Sequence, residues 1–403
     1  MRGRRMLAIL LILGLASMLT GCWSRKELNE LALVMALGID LDPEGYAVSA
    51  QVMNPSEAGN QKGASSGSLP VVTYKSVGKT VPDALQRMLS MTPRMLYLAH
   101  IRVIVFGEEL ARSGVSDALD FLSRDNQTRT DFYLLVAKNS TASKILEIVT
   151  PFEHIPANSL YSSILVSHKK WAATGKVTLQ QFITELERGG SNPIMSGVQL
   201  RGNLQNGESP KNVQNISPQT LIQHAGIAVF KKDKLVGWLG EPLSKSVNYA
   251  LNEVDTTVGN VPSPEGGTAG FIVTQADTRL DIKINEEGKP EFIVKLNIEA
   301  DLTTVEGPLD LNNPANLKII EDNLQNRFNI KMSSDIREIQ EKYNSDIFGF
   351  GEALHRKYPR LWKDYREHWE DTFKTVKVDV HSKVAIRRIG SIIQPLKKEI
   401  EEK

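Results

Sequence analysis

The N-terminus constrains this chain most. Arg2, Arg4 and Arg5 precede an apolar run from Met6 to Leu19, 14 residues long with Ser17 its one polar member. Crossing ~30 Å of hydrocarbon takes roughly 20 such residues in a helix. The run is too short for a span, and its positive flank fits a signal peptide over residues 1–21 that is removed on export. No second apolar run of that kind follows. Cys22, directly after it, is the single cysteine of the protein. A disulfide needs two thiols and a structural zinc site several ligands, so neither ordinary role of an exported cysteine is open to it.

Leu19-Thr20-Gly21-Cys22 resembles the lipobox of bacterial lipoproteins, in which small residues precede a cysteine whose sulfur takes a diacylglycerol. The resemblance implies a covalent lipid on Cys22, with or without an N-acyl chain, and no other cofactor. Two or three acyl chains at ~0.8 kcal/mol per buried methylene hold a protein to a membrane almost irreversibly. Trp23 would then sit at headgroup depth, where an indole keeps its ring apolar and its N–H wet. Contact with a protein partner is the alternative for Trp23.

The rest of the chain reads as globular. It has 403 residues, 48 Lys+Arg against 47 Asp+Glu and 41% hydrophobic residues, enough for two or three cores. Removing residues 1–21 takes three arginines and no acids, which leaves 45 basic against 47 acidic groups and a formal charge of −2. That balance offers no broad phosphate-neutralising surface, so nucleic acid is not an expected partner.

Ala32 to Ile39 and Tyr46 to Val52 read as strands joined by a turn through Asp40, Asp42, Pro43 and Gly45. Residues 54–70 turn to Gly, Ser, Asn and Gln and read as a mobile loop that could divide the first half into two subdomains. Strand and helix patterns then alternate from Val71 to Val149, which predicts helices covering a sheet, with further helices at Leu160 to Trp171 and Leu179 to Arg188. The polar stretch 201–219 is the expected linker between an N-terminal α/β region, 22–200, and a C-terminal α+β domain, 220–403.

That second region opens with a hairpin from Gly226 to Leu239. Leu280, Ile282 and Ile284, then Phe292, Val294, Leu296, Ile298, Ala300 and Leu302, alternate with polar residues as half-buried antiparallel strands do. Leu317, Ile320, Leu324, Phe328, Ile336, Ile339, Tyr343 and Ile347 predict a long helical region ending before Pro359, and Val376 to Ile386 a last strand returning to the sheet. The fold class expected is mixed, α/β then α+β, in an elongated multi-domain body.

Catalytic and metal motifs do not assemble. The seven histidines show no paired ligand spacing. Glu352 and His355 stand at i, i+3, but a carboxylate-bridged site needs a second such pair. Asp40, Asp42, Glu44 and Gly45 imitate the start of a calcium loop, yet Pro43 stiffens it and Gln51 stands where a bidentate Glu is required. Gly349 and Gly351 are followed by Leu354 in place of the third glycine of a dinucleotide fingerprint. Catalytic and metal residues are accordingly assigned to none, and the chain is expected not to be an enzyme. Tyr358, Trp362, Tyr365 and Trp369 fall on one helical stripe at spacings of 4, 3 and 4. Such a stripe ordinarily packs in a core; Trp362, Tyr365 and Trp369 as an exposed docking face are the alternative.

Three blocks carry a more specific resemblance. Cys22-Trp23 leads through Glu27-Leu28-Asn29-Glu30-Leu31 to Gly38-Ile39-Asp40; a second block runs from Ala225 to Leu239; a third runs from Trp369 through Phe373, Val376 and Val378 to Gly390. Together they resemble the Ger(x)C family, the lipoprotein C subunits of spore germination receptors. The resemblance implies a non-catalytic lipoprotein on the outer face of the spore inner membrane, working with integral-membrane A and B subunits of a nutrient germinant receptor. A solute-binding lipoprotein feeding a transporter is the alternative, and it predicts a ligand cleft between lobes.

Overall fold

The computed structural model describes residues 30–54, 69–203, 206–263, 266–306, 309–311 and 313–390, together with residues 3, 5 and 6. The signal segment, Cys22 and Trp23 lie outside the described residues, as do positions 55–68 of the expected loop.

Among the described residues the chain forms two sheets. The centre of the first is parallel: β1 (Leu31–Asp42), β5 (Val103–Gly107), β6 (Tyr133–Ala137) and β7 (Ile194–Gly202) lie side by side. Short β4 (Met95–Tyr97) also pairs with the start of β1. Alternate residues point to opposite faces of a strand, and here both faces are covered. Ile104, Phe106, Leu134 and Val136 enter one apolar core, and Val103, Val105, Leu135 and Ala137 enter the other. That explains why β5 and β6 read as apolar runs without polar alternation.

Antiparallel hairpins extend both edges. On one side β1 pairs with β2 (Gly45–Met53), which pairs with β3 (Val71–Gly78). The stretch 54–70 therefore joins adjacent strands of one sheet and does not separate subdomains. Helix α1 (Val81–Met88) follows, started by Thr80, whose hydroxyl accepts from the Asp83 N–H at 3.2 Å.

On the other side β7 pairs with β8 (Thr220–Lys231), and β8 with β9 (Lys234–Leu239). Residues 201–219, expected as a linker, instead connect neighbouring strands, so the hairpin expected to open the second domain completes the first sheet. Its pattern shows why. Ala228, Phe230 and Leu235 pack into the first sheet's core, whereas Ile227, Val229 and Leu239 pack into the core of the second half. The hairpin is a seam with one face in each core.

The second sheet runs β10 (Thr257–Pro262), β11 (Thr268–Ile284), β12 (Pro290–Val305) and β13 (Val378–Arg388). The alternation at 280–302 is borne out in register, with Leu280 opposite Val294 and Ile282 opposite Phe292. The last strand returns as expected, parallel to β12. A 30-residue helix, Pro314–Tyr343, buries Ile320, Leu324, Met332, Ile336 and Ile339 against this sheet. It stops at Asn344, whose left-handed backbone (φ 46°) caps it. The break thus comes well before Pro359, and Ile347 belongs to the loop beyond.

Candidate functional site

The long helix ends on the seam, and the loop after it stitches the two halves together. Tyr343 donates its hydroxyl to Trp238 O at 2.7 Å, and Ser345 donates to Phe230 O at 2.5 Å. Asp346 accepts through its backbone carbonyl from Asn192 N at 2.7 Å, and Asn192 in turn accepts from Lys232 N at 2.7 Å. Gly190 and Gly351 lie so close that a Cβ on Gly351 would stand 2.6 Å from Gly190 O.

The Asp346 carboxylate organises this junction. It is fully buried and accepts from Phe348 N at 3.1 Å, Phe350 N at 3.2 Å, Gly351 N at 2.9 Å and Trp369 Nε1 at 2.9 Å. Burial pushes its pKa up to about 6, against the four donors, which favour the charged form. Gly349 and Gly351, read from sequence only as a failed nucleotide motif, serve this turn: Gly349 (φ 73°) caps the helix Phe350–Lys357, and Gly351 supplies an N–H. The local signal was the run Asn344-Ser345-Asp346 directly after a long amphipathic helix.

Beside the junction lies a cleft of about 410 Å³ between the halves, lined by His168, Lys176, Glu185, Arg188, Glu253 and Arg356 among others. Most of its ionic groups are engaged with one another. Glu185 pairs with Arg188 at 2.7 Å and accepts from Ser191 at 2.7 Å. His168 Nε2 lies 3.2 Å from Glu253, whose carboxyl it holds below the usual range, and His168 Nδ1 lies 2.9 Å from Thr174 O. This arrangement ties helix ends and loops together across the joint.

Trp362 and Trp369 are each 5% exposed, with ring centroids 5.4 Å apart, and Trp369 packs on Phe292 at 6.1 Å. An exposed docking face at these two residues is therefore corrected. Their stretch is not one helix: Pro359–Tyr365 and Trp369–Thr375 are separate short helices, and the break between them turns both indoles into the core. Tyr365 is half-buried against the same core.

Glu352 and His355 stand 3.7 Å apart on the helix Phe350–Lys357. Asp40 is buried and caps the short helix Ala142–Leu146, accepting from Ala142 N at 2.7 Å and Ser143 N at 3.0 Å. Its oxygens face protein N–H groups, which removes the calcium-loop imitation. Among the described residues no group of three or more His, Cys, Asp or Glu could hold a metal ion, and no helix is long and apolar enough to cross a membrane.

Comparison with known proteins places these features in a family. Residues 24–200 match the family model described as the spore germination protein N-terminal domain, and residues 225–390 match the spore germination B3/GerAC-like C-terminal model. Spore germination protein KC of Bacillus subtilis (strain 168) is 30% identical over 404 aligned positions, covering 98% of each chain. Spore germination protein B3 of the same strain is 25% identical, covering 91% of this chain and 94% of its own. The crystal structure of the GerBC protein superposes with a TM-score of 0.55 at 17% identity, over 87% of this chain and 96% of that one, and so shares the fold. With both family models matched in order and a relative aligned over nearly the whole chain, the protein belongs to the Ger(x)C family of spore germination proteins.

Proposed function

We propose that this protein is a non-catalytic, membrane-anchored C subunit of a nutrient germinant receptor, required for receptor assembly and the germination response. The observation that supports this most is its similarity to spore germination protein KC over 98% of both chains. The lipid on Cys22 holds the body on the outer face of the spore inner membrane, beside integral-membrane A and B subunits. Tethering raises the effective concentration of the body at its partners, so modest interfaces suffice. The alternative of a solute-binding lipoprotein draws on the cleft between the halves, but the mutual pairing of its ionic groups favours a structural joint.

The test is a strain carrying Cys22→Ala. Its protein should leave the membrane fraction while keeping the melting temperature of the wild-type body, and nutrient germination should slow. Wild-type germination with the variant protein absent from the membrane would overturn the proposal.

A further inference from the structure

A second cavity, of about 200 Å³, lies in the C-terminal half, away from the junction. It opens where the edge strand β10 meets the helix Glu241–Ala250 and the long helix Pro314–Tyr343. Its walls are Tyr249, Phe271, Leu324, Phe328 and Met332, with Arg327 at the mouth. The rings are set edge to face: Phe328 stands 5.3 Å from Tyr249 and 6.3 Å from Phe271. The volume is below the ~300–1,000 Å³ typical of drug-sized sites, so an occupant would be small.

Two polar groups here lack partners among the described residues. Tyr249 is 5% exposed and lines the cavity, and its hydroxyl has no protein hydrogen-bond partner among the described residues but is not sealed off from solvent. Burial alone pushes its pKa up, so it stays a neutral donor at any physiological pH. The cations around the cavity are unequally engaged. Lys245 pairs with Glu241 at 3.2 Å and lies 3.6 Å from the centre of the Trp171 ring. Lys331 pairs with Asp335, which also accepts from Ser246 at 2.5 Å. Arg327 is exposed and has no ion pair among the described residues.

An apolar floor, a phenol hydroxyl free of protein partners among the described residues and an unpaired guanidinium at the rim are complementary to one ligand chemistry. We propose that this cavity binds a small carboxylate with an aromatic or branched aliphatic body. The body lies among Phe271, Leu324, Phe328 and Met332, a polar atom of the ligand accepts from the Tyr249 hydroxyl, and the carboxylate faces Arg327. Such a group can come from a free organic or amino acid or from the end of a fatty acid. The site requires nothing of the anchor or of membrane partners, and it stands apart from the function proposed above.

The test is ligand-observed NMR on the full-length protein in lipid nanodiscs, with phenylacetate as the probe. Octanoate tests the fatty-acid source, phenethylamine keeps the ring and reverses the charge, and acetate keeps the charge without the body. Saturable binding of phenylacetate or octanoate, with neither phenethylamine nor acetate binding, is expected, and whichever carboxylate binds more tightly identifies the source. Arg327→Ala and Tyr249→Phe, each leaving the core rings in place, should weaken binding by about tenfold while the melting temperature without ligand stays near wild type. Absence of saturable binding by both carboxylates, equal binding of phenethylamine, or indifference to both substitutions would overturn the proposal.

Discussion

Trp369 donates its indole N–H to the buried carboxylate of Asp346 across 2.9 Å, and so ties the last short helix to the loop that joins the two halves. The same carboxylate collects three backbone N–H groups from Phe348, Phe350 and Gly351. Removing it leaves four buried donors unanswered at once. Asp346→Ala should therefore cost about 3 kcal/mol or more of unfolding free energy, measured by urea titration. A loss within 1 kcal/mol, on the ~±0.5 kcal/mol scale of ordinary surface changes, would mean that the turn holds without it.

That carboxyl also has a pH signature. Burial raises its folded pKa to about 6, above the ordinary 3.8 of an aspartate, so its contribution to stability is fully present below 3.8 and is lost as pH rises through about 6. His224 works in the opposite sense. It is partly exposed as a residue, but its Nδ1 is enclosed without a partner, and burial lowers its pKa from 6.5 to about 4. Its contribution is present above 6.5 and is lost as pH falls toward 4. Each shift corresponds to roughly 3 kcal/mol, and the two nearly cancel between pH 4 and 6.5. Relative to wild type, His224→Gln should lose stability as pH rises through this window, and Asp346→Asn should gain it. Stability curves for the two variants that run parallel to wild type would contradict both assignments.

Asp40 and Gly107 form a second coupled pair. A Cβ on Gly107 would stand 2.1 Å from Asp40 Oδ1, which is fixed by the helix it caps. Asp40→Ala and Gly107→Ala should each destabilise by about 1–3 kcal/mol, and the double variant should cost clearly less than their sum. Additive costs would show that the two sites act independently. Added calcium should leave the wild-type melting temperature unchanged.

The joint between the halves is sensitive at Gly190. Its backbone is left-handed (φ 89°), and a Cβ there would meet Trp362 Cη2 at 2.6 Å and Gly351 C at 2.8 Å. Gly190→Ala combines backbone strain with overpacking and should cost about 2–4 kcal/mol, seen as a lower midpoint in thermal or urea unfolding. A near-neutral variant would indicate that the halves can slide apart at little cost.

Much of this fold was legible because its signals are local. The period-2 runs at 280–302 fit half-buried strands and nothing else of that length. What was misplaced depends on distant partners. The hairpin of β8 and β9 alternates like any other, and only its pairing with β7 assigns it to the first sheet. The strand Ile194–Gly202 carries a weak sequence signal, because Ser196 and Gly197 interrupt its apolar run, although Val198 and Met195 are fully buried. The spacing of Trp362 and Trp369 fits one helix face, but Arg366, Glu367 and His368 break the helix between them. At the junction, nothing local in the sequence marks Asp346, because three of its donors come from the turn it creates and the fourth from Trp369.

The central proposal concerns assembly at a membrane, and mild-detergent capture of tagged protein from spore membranes tests it most directly, with Cys22→Ala run beside the wild type. A lipid-tethered receptor subunit should bring down polytopic membrane proteins, and the variant should lose them while its body remains folded. Capture of the wild-type protein alone, under conditions that keep other membrane complexes intact, would contradict it.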